Sequence, residues 1–280
     1  MKYIYLIIYF SFYFSLQADN FNVGYANKVM NKFSKKDIII ATEVWLKELL
    51  EGSGHKVTFT FFDNPEVLAK KLESKKIDMA IANGLDFIKY FNITNLSTGF
   101  IGGFIDDNNS KLVTVVSKNS EFKSWKSLTD KRISIMKDAP LSVLYIKYSL
   151  LKATGNDSII ILNQKSSNRA LLKLFFNKVD AAVITQHAFN IAKELNPQIG
   201  EKLAIIDNSN IKTRDFGYFR KDFNKELKKE LISITSNINK DIRGKQMLTL
   251  YKAEEIKPCY IKDLEPINIL YKNYKNLKRK

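Results

Sequence analysis

The chain has 280 residues, is 45% hydrophobic and 26% charged, and holds 11 Gly and 5 Pro. Those proportions describe a folded globular protein and exclude a long disordered or low-complexity tract. One cysteine, Cys259, excludes an internal disulfide and a cysteine-cluster metal site, while 45 Lys+Arg against 29 Asp+Glu give a net charge of +16.

The chain opens with "MKYIYLIIYFSFYFSLQA": a basic start at Lys2, an apolar run from Tyr3 to Phe14, and the small Ala18 before Asp19. This is the layout of a secretory signal peptide over residues 1–18, and the run is shorter than the roughly 20 residues that span a bilayer. No cysteine follows it, so a lipid anchor is not expected. The mature chain is therefore expected to start at Asp19 and to be soluble and periplasmic. Its lysines are scattered, export argues against nucleic acid, and "NYKNLKRK" at the C-terminus reads as a frayed tail.

In chain order, "FNVGYA" suits a first strand, and "SKKDIIIATEVWLKELLEGSG" has the apolar spacing of a helix that stops at its glycines. "HKVTFTFF" alternates as a strand does. "DNPEVLAKKLES" is an amphipathic helix capped by Asn64 before Pro65, and "KIDMAIA" is a buried strand. A second block repeats the order with "KLVTVVSK", "SWKSLTDKRISIM", a helix from Pro140 to Gly155, "SIIILN", "SSNRALLKLFFNK" and "VDAAVIT". Polar "IDNSNIKTRD" then leads to "FGYF" and the helical "NKELKKELISITSNINK". Strand–helix alternation predicts parallel pairing with crossover helices, in two α/β lobes.

Three of these stretches carry a resemblance: "FDNPEVLAKKLESKKIDMAIANG", "WKSLTDKRISI" and "SNRALLKLFFNKVDAAVIT". They resemble the periplasmic solute-binding proteins of ABC importers, in the branch that binds phosphonates, phosphite and sulfonates. The resemblance implies a type 2 two-lobe fold closing on a small polar, anionic or zwitterionic solute, which is handed to an inner-membrane ABC permease. It divides the mature chain into lobe 1 (19–107), lobe 2 (108–207) and a return crossover with C-terminal helices (208–280). The sequence departs from the family in both Lys-Ile/Val-Asp turns, which have Lys75-Lys76 and Asn177-Lys178 where a glycine is usual. It departs again at "KDAPLS", where phosphonate binders carry a Gly-containing Ser/Thr turn.

Ligands of open α/β sheets sit off the carboxyl ends of the strands. That rule selects Tyr25, then Asn83, Gly84 and Asp86, then Asp138 and Ser142, then Ser166, Ser167 and Asn168, and finally Thr185, Gln186 and His187. Tyr25 offers an aromatic face, Gly84 a close backbone approach, and the Ser/Asn group a helix start that suits an anion as well as a cap. Asp86 and Asp138 suit a ligand that also carries an amine or hydroxyl. Asp78 and Asp180 lie at strand entrances away from the cleft and read as structural. His55 reads as a surface residue, and Cys259 as a half-buried small hydrophobe.

No phosphate-binding loop, nucleophile elbow or zinc-protease motif is present, so no enzyme activity, cofactor or metal is expected. A monomer is expected. An exported sensor or accessory subunit of a membrane complex is the alternative on the same fold, and an enzyme akin to menaquinone-pathway proteins a more distant one.

Overall fold

A computed structural model describes residues 20–26, 40, 42–44, 46–47, 50, 55–240, 242–250 and 253–279. The leader, the proposed start at Asp19 and part of the helix expected within residues 34–54 lie outside the described residues.

The first block runs β1 (Asn20–Ala26), β2 (Lys56–Phe61), α1 (Pro65–Glu73), β3 (Met79–Asn83), α2 (Gly84–Tyr90) and β4 (Leu96–Gly103). The second runs β5 (Lys111–Ser117), a short 3-10 turn at Trp125–Leu128, β6 (Arg132–Met136), α3 (Pro140–Thr154), β7 (Ile160–Gln164), α4 (Ser167–Phe175), β8 (Ala181–Thr185), α5 (Gln186–Leu195), α6 (Pro197–Lys202) and β9 (Leu203–Lys212). The chain then returns through β10 (Asp215–Arg220), α7 (Lys225–Ser236), α8 (Ile242–Leu250), β11 (Glu255–Cys259) and α9 (Glu265–Lys278).

Two mixed sheets result, a six-stranded one in the order β11-β4-β10-β3-β1-β2 and a five-stranded one in the order β7-β6-β8-β5-β9. β1, β2 and β3 pair in parallel, as do β6, β7 and β8, as crossover helices require. β10 inserts antiparallel between β3 and β4. β9 continues to Lys212, paired with Lys111, so the chain crosses back to the first sheet at Thr213–Arg214, a few residues beyond the expected 207/208 boundary.

Both Lys-Ile/Val-Asp phrases mark the same junction. α1 and α4 end in left-handed residues, Lys75 (φ 58°) and Asn177 (φ 55°), at the positions where glycine is usual. Asp78 then takes the backbone N–H of Asn22 at 2.9 Å and returns its own N–H to Asn22 O at 2.8 Å. Asp180 repeats this with Arg132, at 2.8 and 2.9 Å. Each carboxylate also holds a guanidinium, Arg220 Nε at 3.0 Å from Asp78 and Arg132 Nη2 at 3.1 Å from Asp180.

The "WKSL" phrase earns its place through Trp125, whose indole N–H donates to Asp207 of β9 at 2.6 Å. Tyr145 of α3 donates to the same carboxylate at 2.5 Å, tying three elements of the second lobe. The core is made of the two sheet faces and their helices. Phe87, Phe216 and Tyr218 are fully buried in the first lobe, and Ile133, Ile135, Ile146 and Leu150 in the second.

Three expectations change. The C-terminus is not a frayed tail: α9 runs to Lys278, burying Ile267 and Leu270 three residues apart, a spacing that the polar residues between them obscure. Cys259 is wholly buried, not half-buried; its Sγ lies 3.6 Å from Gly217 O, and burial pushes the thiol up to about 12. His55 is not a surface residue; its side chain is 16% exposed with Nε2 3.8 Å from Glu230 of α7. Two strands absent from the sequence reading, β4 and β11, complete the first sheet. β4 is diluted by Gly99, Gly102 and Gly103, and β11 carries Pro258, which an edge strand tolerates.

Candidate functional site

The carboxyl ends of β1, β3, β6 and β8 open onto one cavity of about 830 Å³, lined from both lobes. On the first-lobe side, Asn83 ends β3 and caps α2, its Oδ1 accepting the Asp86 N–H at 3.0 Å. Its amide donates to the Asp86 carboxylate, so the two predicted residues form one unit. Asp215 stands opposite Asn83 in the β3–β10 pairing and accepts the Tyr25 hydroxyl at 2.5 Å. The Tyr25 ring packs with Phe61 and Phe59, with centroids 5.2 and 6.1 Å away, and the residue is only 4% exposed, so little of the aromatic face expected for a ligand is open. Tyr25 is among the residues that line the cavity, and its hydroxyl is bonded to Asp215.

On the second-lobe side, Thr185 ends β8 and caps α5, its Oγ1 accepting the Ala188 N–H at 3.2 Å. The two halves therefore meet the cavity by the same device, a strand whose last residue caps the next helix. Asp138, Ser142 and Ser167 also line it. Asp138 adopts φ 58°, a left-handed conformation that Asp accepts more readily than most residues and that a glycine-containing turn would otherwise supply.

Between the lobes lies a feature that the sequence reading missed. Thr213 and Arg214 form the whole return connection, and both line the cavity. Thr213 donates its N–H and its hydroxyl to Ser110 O, at 3.0 and 2.8 Å, tying the return connection to the outward one. The Arg214 guanidinium lies 3.5 Å from the ring centroid of Phe104, which belongs to that outward connection. His187 stacks against the same ring at 4.2 Å. Burial pushes the Arg214 pKa down to about 10, against the pull of Asp215, Glu254 and Asp107, so the side chain stays cationic at neutral pH. The signal available in the sequence was the break of "IDNSNIKTRDFGYF" into two strands around Thr213 and Arg214, hidden by the polar character of β9.

Of the predicted residues, Tyr25, Asn83, Asp86, Asp138, Ser142, Ser167 and Thr185 are brought together at the cavity. Gly84, Ser166, Asn168, Gln186 and His187 are not among the lining residues. A side chain on Gly84 would meet Ile267 of α9 at 2.2 Å, so its small size serves helix packing. Ser166 caps α4 through the Arg169 N–H at 3.2 Å, and Gln186 bonds Asn190 at 2.8 Å along α5. Carboxylates outnumber cations around the cavity: Asp63, Glu66, Asp86, Asp138 and Asp215 against Lys89 and Arg214 among the described lining residues. No group of His, Cys, Asp and Glu among the described residues could hold a metal ion, and no described helix is long and apolar enough to cross a membrane.

Similar architectures are known. XAC2383 from Xanthomonas citri, solved with chloride, superposes with a TM-score of 0.66 at 10% identity, over 93% of this chain and 99% of that one. PhnD1 from Prochlorococcus marinus, in complex with methylphosphonate, gives 0.62 at 18% identity, over 91% and 98%. The aliphatic sulphonate binding protein SsuA from Escherichia coli gives 0.51 at 12%, over 92% and 83%. At these identities the likeness is one of fold, and it matches the two-lobe reading. No curated protein sequence matches the chain. The model of the periplasmic substrate-binding proteins of phosphonate ABC transporters, however, matches residues 29–264, and the chain belongs to that family.

Proposed function

We propose that this chain captures a small zwitterionic solute in the cavity between its lobes and delivers it to an ABC permease of the inner membrane. The observation that carries this reading is the pairing of a half-buried cation, Arg214, with carboxylates from both lobes around one cavity. A guanidinium partly withdrawn from water is well suited to an acidic head group, which it can meet with two parallel hydrogen bonds. A ligand that was only anionic would face repulsion from Asp86, Asp138 and Asp215, whereas an amine is attracted to them. The permease and the delivery step follow from family membership, as does the periplasm as the place of action.

The test is a melting-temperature screen with matched pairs that differ by one amine, such as 2-aminoethylphosphonate against ethylphosphonate and amino acids against the parent carboxylic acids. At a hundredfold over its Kd a ligand adds about 2.7 kcal/mol, which moves the midpoint of a protein this size by roughly 5 °C. The amine-bearing member of a pair should give the shift, and Arg214→Gln should abolish it while the protein stays folded. Larger shifts from the amine-free members would replace the zwitterion by an anion, and a flat response to every pair would remove the capture reading.

A further inference from the structure

The charge of the chain is unevenly divided. Residues 19–107 carry 11 Lys+Arg against 12 Asp+Glu, whereas residues 108–280 carry 33 against 17. Part of that surplus is gathered on one face made by α2, α3 and α9. Lys272, Lys275 and Arg279 are exposed and spaced i, i+3, i+7 along α9, which puts them in a single stripe. Lys89, exposed near the end of α2, and Lys275 both hold their ammonium groups over the Tyr271 ring, at 5.8 and 5.5 Å from its centroid. Lys278 lies over Tyr274 at 5.7 Å and pairs with Asp157 at 2.9 Å. Lys147 of α3 also acts on Asp157.

Cations from three helices thus converge around two tyrosines, with Asp157 as the carboxylate bonded among them. Gathering like charges costs repulsion, and an opposing anionic surface reverses the sign of that term. The mixture also has a chemical meaning. The lysine stems present apolar bodies with charged tips, which suits the headgroup zone of a bilayer, and the half-buried tyrosine rings beneath them are packed against the core and hold the ammonium groups in place. Family membership puts the chain beside the membrane whose permease it serves.

We propose that the α2–α3–α9 face docks on anionic lipid headgroups of that membrane. Docking would keep the binding protein in the plane of the membrane, where a short lateral search replaces diffusion through the periplasm. It makes no use of the cavity, so the proposal stands or falls separately from the identity of the solute.

Protein recovered from the periplasm is sedimented with lipid vesicles. It should pellet with phosphatidylcholine vesicles containing about 30% phosphatidylglycerol in about 50 mM salt, and be released in about 0.5 M salt, where charges are screened within about 4–5 Å. It should not pellet with pure phosphatidylcholine. The exposed triple variant Lys272→Gln, Lys275→Gln, Arg279→Gln should lower the partition coefficient about a hundredfold. The control Lys56→Gln, Lys70→Gln, Lys71→Gln, which removes the same charge from the first lobe, should change it less than about threefold, both triples melting like the parent. Equal losses from the two triples would mean that net charge alone drives binding and would overturn the docking face. Failure to pellet with anionic vesicles would overturn it as well, and direct attention to an acidic protein surface.

Discussion

Asp78 and Asp180 do the same work in two places, each closing a strand entrance by bonding a neighbouring backbone N–H and a guanidinium. Their chemistry lies at the opposite ends of β3 and β8 from the cavity, so replacing them should leave recognition alone. Asp78 is 9% exposed as a side chain and Asp180 19%. Asn at either position keeps the shape but loses the charge that its arginine faces, at a cost of about 1–3 kcal/mol in unfolding free energy. Urea denaturation checks the magnitude, and Asp78 should lose more than Asp180 because it is the more buried. A folded Asp180→Asn protein with altered ligand selectivity would contradict this separation of roles. At this scale the sequence was legible wherever a residue's role is local. Asn64 and Ser166 read as helix caps from type and position alone, whereas Asn83 and Thr185, selected as ligand residues, proved to cap helices as well. Arg214 was not legible, because its importance comes from a Phe104 that lies far away in sequence.

Among the elements, α9 is the one whose role differs most from its sequence. It begins at the first lobe, where Ile267 fills the space left by the missing side chain of Gly84, and it ends against the second. There Tyr274 and Lys278 both donate to Asp157, at 2.8 and 2.9 Å. The helix therefore forms a third link between the lobes beside the two covalent ones. Gly84→Ala would drive Cβ to 2.2 Å from Ile267 Cδ1, and a further contact with Phe216 at 3.0 Å leaves that side chain little room to yield. A loss of about 1–3 kcal/mol is expected, recovered in part by pairing the change with Ile267→Val. Thermal unfolding of the single and double variants reads both numbers, and a double variant no better than the single would show that the strain lies elsewhere. The parallel strands and the helices α1, α3 and α4 were readable because periodicity reports burial, while the short α2, α5 and α6 went unread. β4, β9, β11 and α9 were not, since glycine, proline and polar residues interrupt their patterns and tertiary partners alone make them regular.

For the whole molecule, the lobes are held partly by carboxylates with displaced titrations. Lys278 and Tyr274 hold the Asp157 carboxyl below its usual range against the effect of burial. Burial alone would raise Asp180 and Asp107, but Arg132 in one case and Lys212 with Lys257 in the other outweigh it. Asp222, bonded by Lys75 and Arg220, is lowered to about 2. A carboxyl with a lower pKa in the folded chain stabilises it fully above the unfolded value, about 4, and loses that contribution as the pH falls through the folded value. The melting temperature should therefore be level above about pH 5 and fall steadily from about pH 4 toward pH 2. Asp157→Asn should flatten the upper part of that fall, because one displaced carboxyl is gone. A protein as stable at pH 3 as at pH 6 would mean that these pairs contribute nothing.

The insertion of β10 between β3 and β4 has a consequence for the order in which the molecule can be made. The second sheet is complete once residue 212 is available, and every strand in it is contiguous in the chain. The first sheet has a gap at its centre until residue 220 arrives, and its edge and covering helix wait for residues 255–278 of 280. A ribosome working from the N-terminus thus releases the first lobe as a set of strands that cannot yet close. The second lobe can therefore close on its own strands while the first still lacks the strand at its centre and the helix that covers it.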